Sequence, residues 1–243
     1  MINTSGLSFY YGKTCVLANL DLAFHAGFNV LLGPNGAGKS TFIALLTHLK
    51  KPSSGYIEYD GLRIDQAQAN IMARFGVVFQ EPTLDMDLTV EQNLCYHGAL
   101  HGLSKREVLR RSEPLLEGLG LTGRLKDKIR QLNGGHRKRL EIVRALVHKP
   151  SILLLDEASV GLDNQSRAQI INYIRELAIT SSLCVIWTTH LLDEIKPDDH
   201  LVVLTKGVLV ASGTVSDLIS KTQVSNVSDL YISLTSQGAL NAI

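Results

Sequence analysis

Short apolar runs alternate along most of the chain with segments whose apolar residues recur at helical spacing. Phe28–Leu32, Gly76–Phe79, Ile152–Leu155 and Leu183–Trp187 are nearly unbroken apolar runs, the pattern of strands buried on both faces of a parallel sheet. Thr41–Leu46 carries one apolar helix face. Leu140, Val143, Leu146 and Val147 repeat at helical spacing with Pro150 just beyond, and Ile170, Ile171, Ile174, Leu177 and Ala178 line a further helix. Residues 2–24 instead alternate apolar and polar, which predicts two antiparallel strands joined by a turn near Gly12-Lys13. Tyr56–Tyr59 reads as a strand closed by Asp60-Gly61, and residues 201–211 as a hairpin around Lys206-Gly207.

Residues 83–149 read as helix. Thr89–Gln92 and Ser104–Glu107 are capping boxes, and Pro114 is expected to break or kink the second of these helices. The stretch looks like a helical insert within an α/β core. Residues 221–243 are polar and without pattern, and are expected to form a loose tail. Strand–helix alternation around an insert predicts an α/β fold with a mostly parallel sheet and helices on both faces.

One stretch adds chemistry to this frame. Residues 33–41, Gly33-Pro34-Asn35-Gly36-Ala37-Gly38-Lys39-Ser40-Thr41, fit G-x-x-x-x-G-K-[ST] directly after an apolar strand and before a helix. Glycines let the backbone curl so that successive N–H groups face an anion. A helix starting near Gly38 adds partial positive charge at its N-terminus. Lys39 suits β- and γ-phosphates, and the Ser40 hydroxyl suits Mg²⁺. A second apolar strand ends in Asp156-Glu157, and two carboxylates there are costly to bury unless a cation or a reaction uses them. Phosphate loop and acidic strand end together point to a nucleoside triphosphatase, with Asp156 holding Mg²⁺ through water and Glu157 as general base.

Composition narrows the context. The 243 residues leave room for one large α/β domain or two small ones. A net charge of +1 gives no footprint for nucleic acid. No apolar run reaches the ~18 residues that span a bilayer, and the N-terminal residues do not read as a signal peptide. Cys15, Cys95 and Cys184 are far apart in apolar surroundings and are expected to be buried thiols in a reducing compartment. The eight histidines show no metal-ligand spacing. A mean hydropathy of +0.10 is high for a lone soluble domain and hints at a large apolar contact with a partner.

Further candidates lie between the strands. Gln80 follows an apolar strand at a junction closed by Pro82. Asn133 is a good N-cap before Gly134-Gly135, and paired glycines at a helix start make a second anion site. The basic run that follows reads, by itself, as a solvated helix face. Tyr11 reads as a strand tyrosine or a base-stacking one, and His190, alone after a strand, as structural.

Taken in order, the phosphate loop, Gln80, Leu132–His136, Asp156-Glu157, Val160-Gly161-Leu162-Asp163 and His190 resemble the ATP-binding subunit of ABC transporters over about residues 2–220. The resemblance implies a P-loop NTPase with a RecA-like core sheet (residues 1–82 and 150–220), an antiparallel β subdomain and a helical subdomain (83–149), followed by the tail 221–243. It implies that Tyr11 stacks on adenine, Gln80 reaches Mg²⁺ and the attacking water, and His190 contacts the γ-phosphate. Asn133, Gly134, Gly135 and His136 would cap the ATP of a second subunit, towards which Asp163 crosses. ATP and Mg²⁺ are thus the expected ligands and a homodimer or pseudo-dimer the expected assembly. The chain would sit on the cytoplasmic face of the inner membrane, holding a membrane subunit through Gln80–His101, where Leu84, Met86, Leu88 and Tyr96 are too apolar for a free loop and helix.

The chain looks most like subunits paired with ABC-2-type exporters. Leu132–His136 and Gln80–Asp85 are also similar to subunits of pyrroloquinoline-quinone-linked alcohol oxidation systems. A soluble ABC ATPase acting on ribosomes or DNA is the alternative, and such proteins usually carry a coiled-coil insert or two fused cassettes, neither of which is present. Two departures stand out: Asn133 and His136 replace the family's usual Ser and Gln, and Ala158 replaces its usual Pro. Asparagine keeps an N–H donor and histidine a ring donor, so the site is expected to remain competent with altered tuning.

Overall fold

The computed structural model describes residues 1–238, which divide into two compact units, residues 1–72 with those from 186 onward, and residues 73–185. In the first unit, β1 (Ile2–Tyr11), β2 (Thr14–Phe24), β4 (Ser54–Tyr59) and β5 (Leu62–Arg63) form an antiparallel sheet in the order β2-β1-β4-β5. The predicted turn at Gly12-Lys13 is present, with Tyr11 opposite Thr14. β3 (Gly27–Leu32) pairs in parallel with β9 (His200–Thr205), and β9 returns as β10 (Val208–Thr214) through the predicted Lys206-Gly207 turn. β3 feeds the phosphate loop and then α1 (Lys39–Leu46), which buries Phe42, Ile43, Leu45 and Leu46, and α2 (Ile64–Met72) follows β5.

The end of the described chain departs from expectation. Residues after 220 are not a loose tail. α7 (Val215–Thr222) is followed by α8 (Val227–Gly238), and Leu230 and Leu234 are buried against Val30, Leu32, Leu201 and Val203. Val227, Leu230, Tyr231 and Leu234 recur at i, i+3, i+4 and i+7, an apolar stripe thinned by the serines and threonines around it. The last five residues of the expected tail lie outside the described ones.

In the second unit, β6 (Phe75–Val78) runs parallel to β7 (Ile152–Asp156), every residue of which is buried. Four helices surround them: α3 (Val90–Leu100), α4 (Lys105–Gly118), α5 (Gly134–Leu146) and α6 (Asn164–Thr180). Thr89 forms the full capping box with Gln92. Ser104 caps α4 by accepting from the Glu107 N–H. α4 runs without interruption through Pro114 rather than breaking there. Arg110, whose carbonyl loses its helical partner, and Pro114 are both exposed, so water can take that acceptor and the usual cost of an internal proline falls. The chain passes from the second unit to the first within β8 (Cys184–Thr189).

Of the cysteines, Cys184 is buried as expected, whereas Cys95 is half-buried and Cys15 exposed at the start of β2. None of the described helices is long and apolar enough to cross a membrane.

Gly207 ties the β9–β10 turn to the phosphate loop. Its N–H donates to the Ala37 carbonyl at 3.0 Å and its carbonyl accepts from Ala18 N–H at 2.9 Å. It adopts φ +78°, and a Cβ would come within 2.0 Å of the Val16 carbonyl oxygen. Both the backbone conformation and the space therefore require glycine. Gly207→Ala is expected to cost about 3 kcal/mol from left-handed strain and overpacking, a thermal midpoint lower by roughly 6–12 °C in differential scanning calorimetry.

Candidate functional site

The phosphate loop lies wholly in the first unit. Gly38 is the N-cap of α1 at φ +103°, and a Cβ there would meet Leu17 Cδ2 at 2.6 Å. Lys39 is buried to 5% exposure. Its ammonium donates to the Gly33 carbonyl at 2.8 Å and to the Pro34 carbonyl at 3.3 Å. The lysine is thus folded back under its own loop, while Pro34, Asn35, Gly36 and Ser40 are exposed.

Two further candidates belong to the same unit. Tyr11 ends β1, half-exposed, edge-on to Phe9 at 4.9 Å, with the Lys50 ammonium 4.8 Å from its ring centre. A flat aromatic with a cation beside it suits stacking on an electron-rich base. His190 is exposed directly after β8. The segment behind it is pinned: the Trp187 indole N–H donates to buried Glu194 at 2.8 Å, and Leu191 N–H donates to the Thr189 hydroxyl at 3.0 Å.

The remaining candidates lie in the second unit. Asp156 ends the fully buried β7 at 4% exposure, and Glu157 follows at 8%. Glu157 has φ +49°, a left-handed conformation that a non-glycine residue adopts at a cost of about 1 kcal/mol or more. Its carboxylate accepts from the Gln80 side-chain amide at 3.3 Å. That donation leaves the amide oxygen of Gln80 for another partner.

A separate cradle forms at the start of α5. Asn133 caps the helix, its side-chain oxygen accepting from the His136 N–H at 2.8 Å. Asp163 caps α6 in the same way through Ser166 N–H at 2.9 Å, and these hydrogen bonds hold its carboxyl below the usual range. Between the two caps lies a cavity of about 190 Å³ lined by Asn133–His136, Arg139, Gly161–Asp163 and Ser166. A Cβ on Gly134 would meet nothing within 4 Å, so the glycines serve here to keep the cradle open. Partial burial, with Arg124 and Arg139 nearby, lowers the pKa of His136 and favours its neutral ring.

Sequence reasoning missed what fixes Gln80. The basic run after the paired glycines is not simply a solvated face. Arg139 donates to Ser166 and Gln169 on α6 at 3.0 and 2.8 Å. Lys138 is buried, ion-paired with Glu141 at 2.8 Å, and donates to the Phe79 carbonyl at 3.2 Å. Glu141 also accepts from Thr83 N–H at 2.8 Å, and Arg144 holds the Thr83 carbonyl at 2.8 Å and its hydroxyl. Lys138, Glu141 and Arg144 follow at three-residue steps along one side of α5. Together they clamp the segment on either side of Gln80–Pro82.

Comparison with known proteins points to one family. Residues 17–160 match the family model described as "ABC transporter". The chain is 36% identical over its whole length to the linearmycin resistance ATP-binding protein LnrL of Bacillus subtilis, covering 78% of that protein. It is 38% identical to the Nod factor export ATP-binding protein I of Cupriavidus pinatubonensis, over 91% of this chain and 68% of that one. Among solved structures, the dimeric bacterial ABC transporter cassette MJ0796 superposes with a TM-score of 0.80 at 25% identity, over 88% of this chain and 99% of that one.

The α5 stripe yields a separable prediction. Glu141→Gln strands a buried ammonium, and a loss of about 3 kcal/mol is expected, or roughly 6–12 °C in thermal midpoint. Lys138→Met with Glu141→Leu should recover most of that midpoint, since apolar replacements tolerate burial. Steady-state turnover should stay below wild type in the apolar double variant, because Phe79 and Thr83 then lose their contacts to Lys138 and Glu141.

Proposed function

This chain belongs to the ABC transporter family, and from that premise we propose that it is the ATP-hydrolysing motor subunit of an exporter, acting on a separate membrane subunit. It binds ATP and couples hydrolysis to transport. The observation that carries the residue-level reading is Glu157: a carboxylate at the end of a wholly buried strand, held in left-handed backbone and facing the Gln80 amide at 3.3 Å. Such a group is fixed in place before any water arrives, as a general base requires.

In this reading Lys39 and the loop amides bind the β- and γ-phosphates. Tyr11 stacks on adenine, and His190 contacts the γ-phosphate. Ser40, Asp156 and the free amide oxygen of Gln80 are hard oxygen donors that fit Mg²⁺. When bound, the ion neutralises charge on the phosphate oxygens. Glu157 accepts a proton from the attacking water, oriented by Gln80. The division of the chain into a core of residues 1–82 and 150–220 with a helical subdomain of 83–149 belongs to the same reading.

The cradle at Asn133–His136 supports a dimer in which each copy caps the nucleotide of the other, with Asp163 at the seam. A helix N-terminus with an open glycine pair suits a triphosphate brought from outside the chain. For the membrane subunit, the Gln80–His101 region offers Met86, Tyr96 and Leu100, exposed by 37%, 68% and 68%, whereas Leu84 is buried and serves the core. Exposed apolar side chains on α3 (Tyr96, Leu100) and in the turn before it (Met86) suit a short helix of a partner laid against them. In this reading the chain sits peripherally on the cytoplasmic face of the inner membrane.

Glu157→Gln should lower steady-state ATPase turnover by about 10²–10⁴-fold while nucleotide affinity, read by equilibrium binding, stays within a few-fold. Turnover within threefold of wild type would reject Glu157 as the base. Tyr96→Asp should abolish co-purification with the membrane subunit and leave ATP binding intact; undiminished co-purification would reject this docking surface.

A further inference from the structure

Away from the phosphate chemistry, three imidazoles meet inside the second unit. His97 lies in the last turn of α3, His101 caps the end of that helix, and His148 follows α5. One ring nitrogen from each lies within 4.8 Å of the others. The rings of His101 and His148 stack with centroids 3.7 Å apart, and the His97 ring lies 4.9 and 5.7 Å from them. Packing of neutral rings would account for the stack, but not for the hydrogen-bond pattern.

His148 Nε2 is 2.8 Å from the Phe75 carbonyl oxygen. A carbonyl only accepts, so the proton sits on Nε2 and Nδ1 carries a lone pair. That Nδ1 is buried without a hydrogen-bond partner, and so is Nε2 of His97. A buried polar atom left unmatched costs about 1–3 kcal/mol, and this cluster holds two. A backbone carbonyl that fixes the tautomer of one ring and frees its other nitrogen is the usual support behind a metal-bound histidine. His97 and His101 stand at i and i+4, so both rings project from one side of α3.

We propose that His97, His101 and His148 form a site for a divalent transition-metal ion of the zinc type. Three neutral imidazoles suit Zn²⁺ and its neighbours rather than the oxygen-seeking Mg²⁺ or Ca²⁺. Burial holds His97 and His148 down at about 4, so their lone pairs are available at neutral pH. With bonds of about 2.0–2.1 Å, tetrahedral ligands stand roughly 3.4 Å apart, and the 4.8 Å span must close. His101, half-buried at the helix end, is the ring placed to leave the stack and turn inward. Arg144 and Arg111 act on His97 and His148 as like charges, so affinity should fall below that of closed structural zinc sites. Water completes the coordination. The bound ion would tie the end of α3, next to exposed Tyr96 and Leu100, to the turn after α5.

The test is titration of the metal-stripped full chain with Zn²⁺ alone, by calorimetry and by cobalt(II) absorption. One equivalent should bind with low-micromolar affinity, and cobalt(II) should give the intense visible bands of a tetrahedral site. His101→Gln, at a half-exposed position that the fold tolerates, and His148→Gln should each weaken binding at least tenfold, while Cys95→Ser leaves it unchanged. Zinc should raise the thermal midpoint of wild type and not of His101→Gln. Absence of one-equivalent binding in wild type, or wild-type affinity in both histidine variants, would overturn the proposal.

Discussion

A loop that offers its backbone amides to an anion has to satisfy its carbonyls elsewhere, and the first unit is built around that constraint. The Gly33 and Pro34 carbonyls take the Lys39 ammonium, and the Ala37 carbonyl takes the Gly207 N–H. Lysine therefore has a use before any phosphate arrives. It keeps the loop in shape, and the same carbonyl oxygens satisfy donors of its buried ammonium. The Gly207 contact makes the β9–β10 turn, far away in sequence, part of the loop's support. That contact in turn requires glycine, because its Cβ would overlap the Val16 backbone.

The second unit solves a different problem, how to hold a glutamine at the end of a strand in a fixed relation to a carboxylate. Gln80 lies on an exposed segment that ends at Pro82 and has little packing of its own. α5 supplies the missing restraint through Lys138, Glu141 and Arg144, which grip Phe79 and Thr83. The same helix begins with the Asn133 cap and the open glycine pair. One rigid rod thus carries the cradle at one end and the clamp along its side.

The histidine trio stands at the far end of that rod, just past Leu146. α5 is therefore engaged along its whole length: cradle first, clamp in the middle, imidazoles last. Very little of this helix is left for solvent alone, which explains why residues of high intrinsic solubility such as Lys138 and Glu141 are buried on it.

Sequence alone determined the features that local rules govern. The phosphate loop, the strand ending in Asp156-Glu157, the caps at Thr89 and Asn133 and the hairpin turn at Gly207 all depend on neighbours a few residues away, and spacing reveals them. Tertiary structure decided the rest. Pro114 sits in an unbroken helix because its side of α4 faces water. Residues 227–238 form a helix because Leu230 and Leu234 find Val30 and Leu201. Lys138 is buried because Phe79, 59 positions earlier, presents a carbonyl to it. His148 is fixed by Phe75, 73 positions away, and a spacing rule confined to one helix cannot see its meeting with His97 and His101. Local periodicity records which face of an element is apolar; it does not record which distant partner satisfies a polar group on that face, and here those partners decide how the chemistry is held.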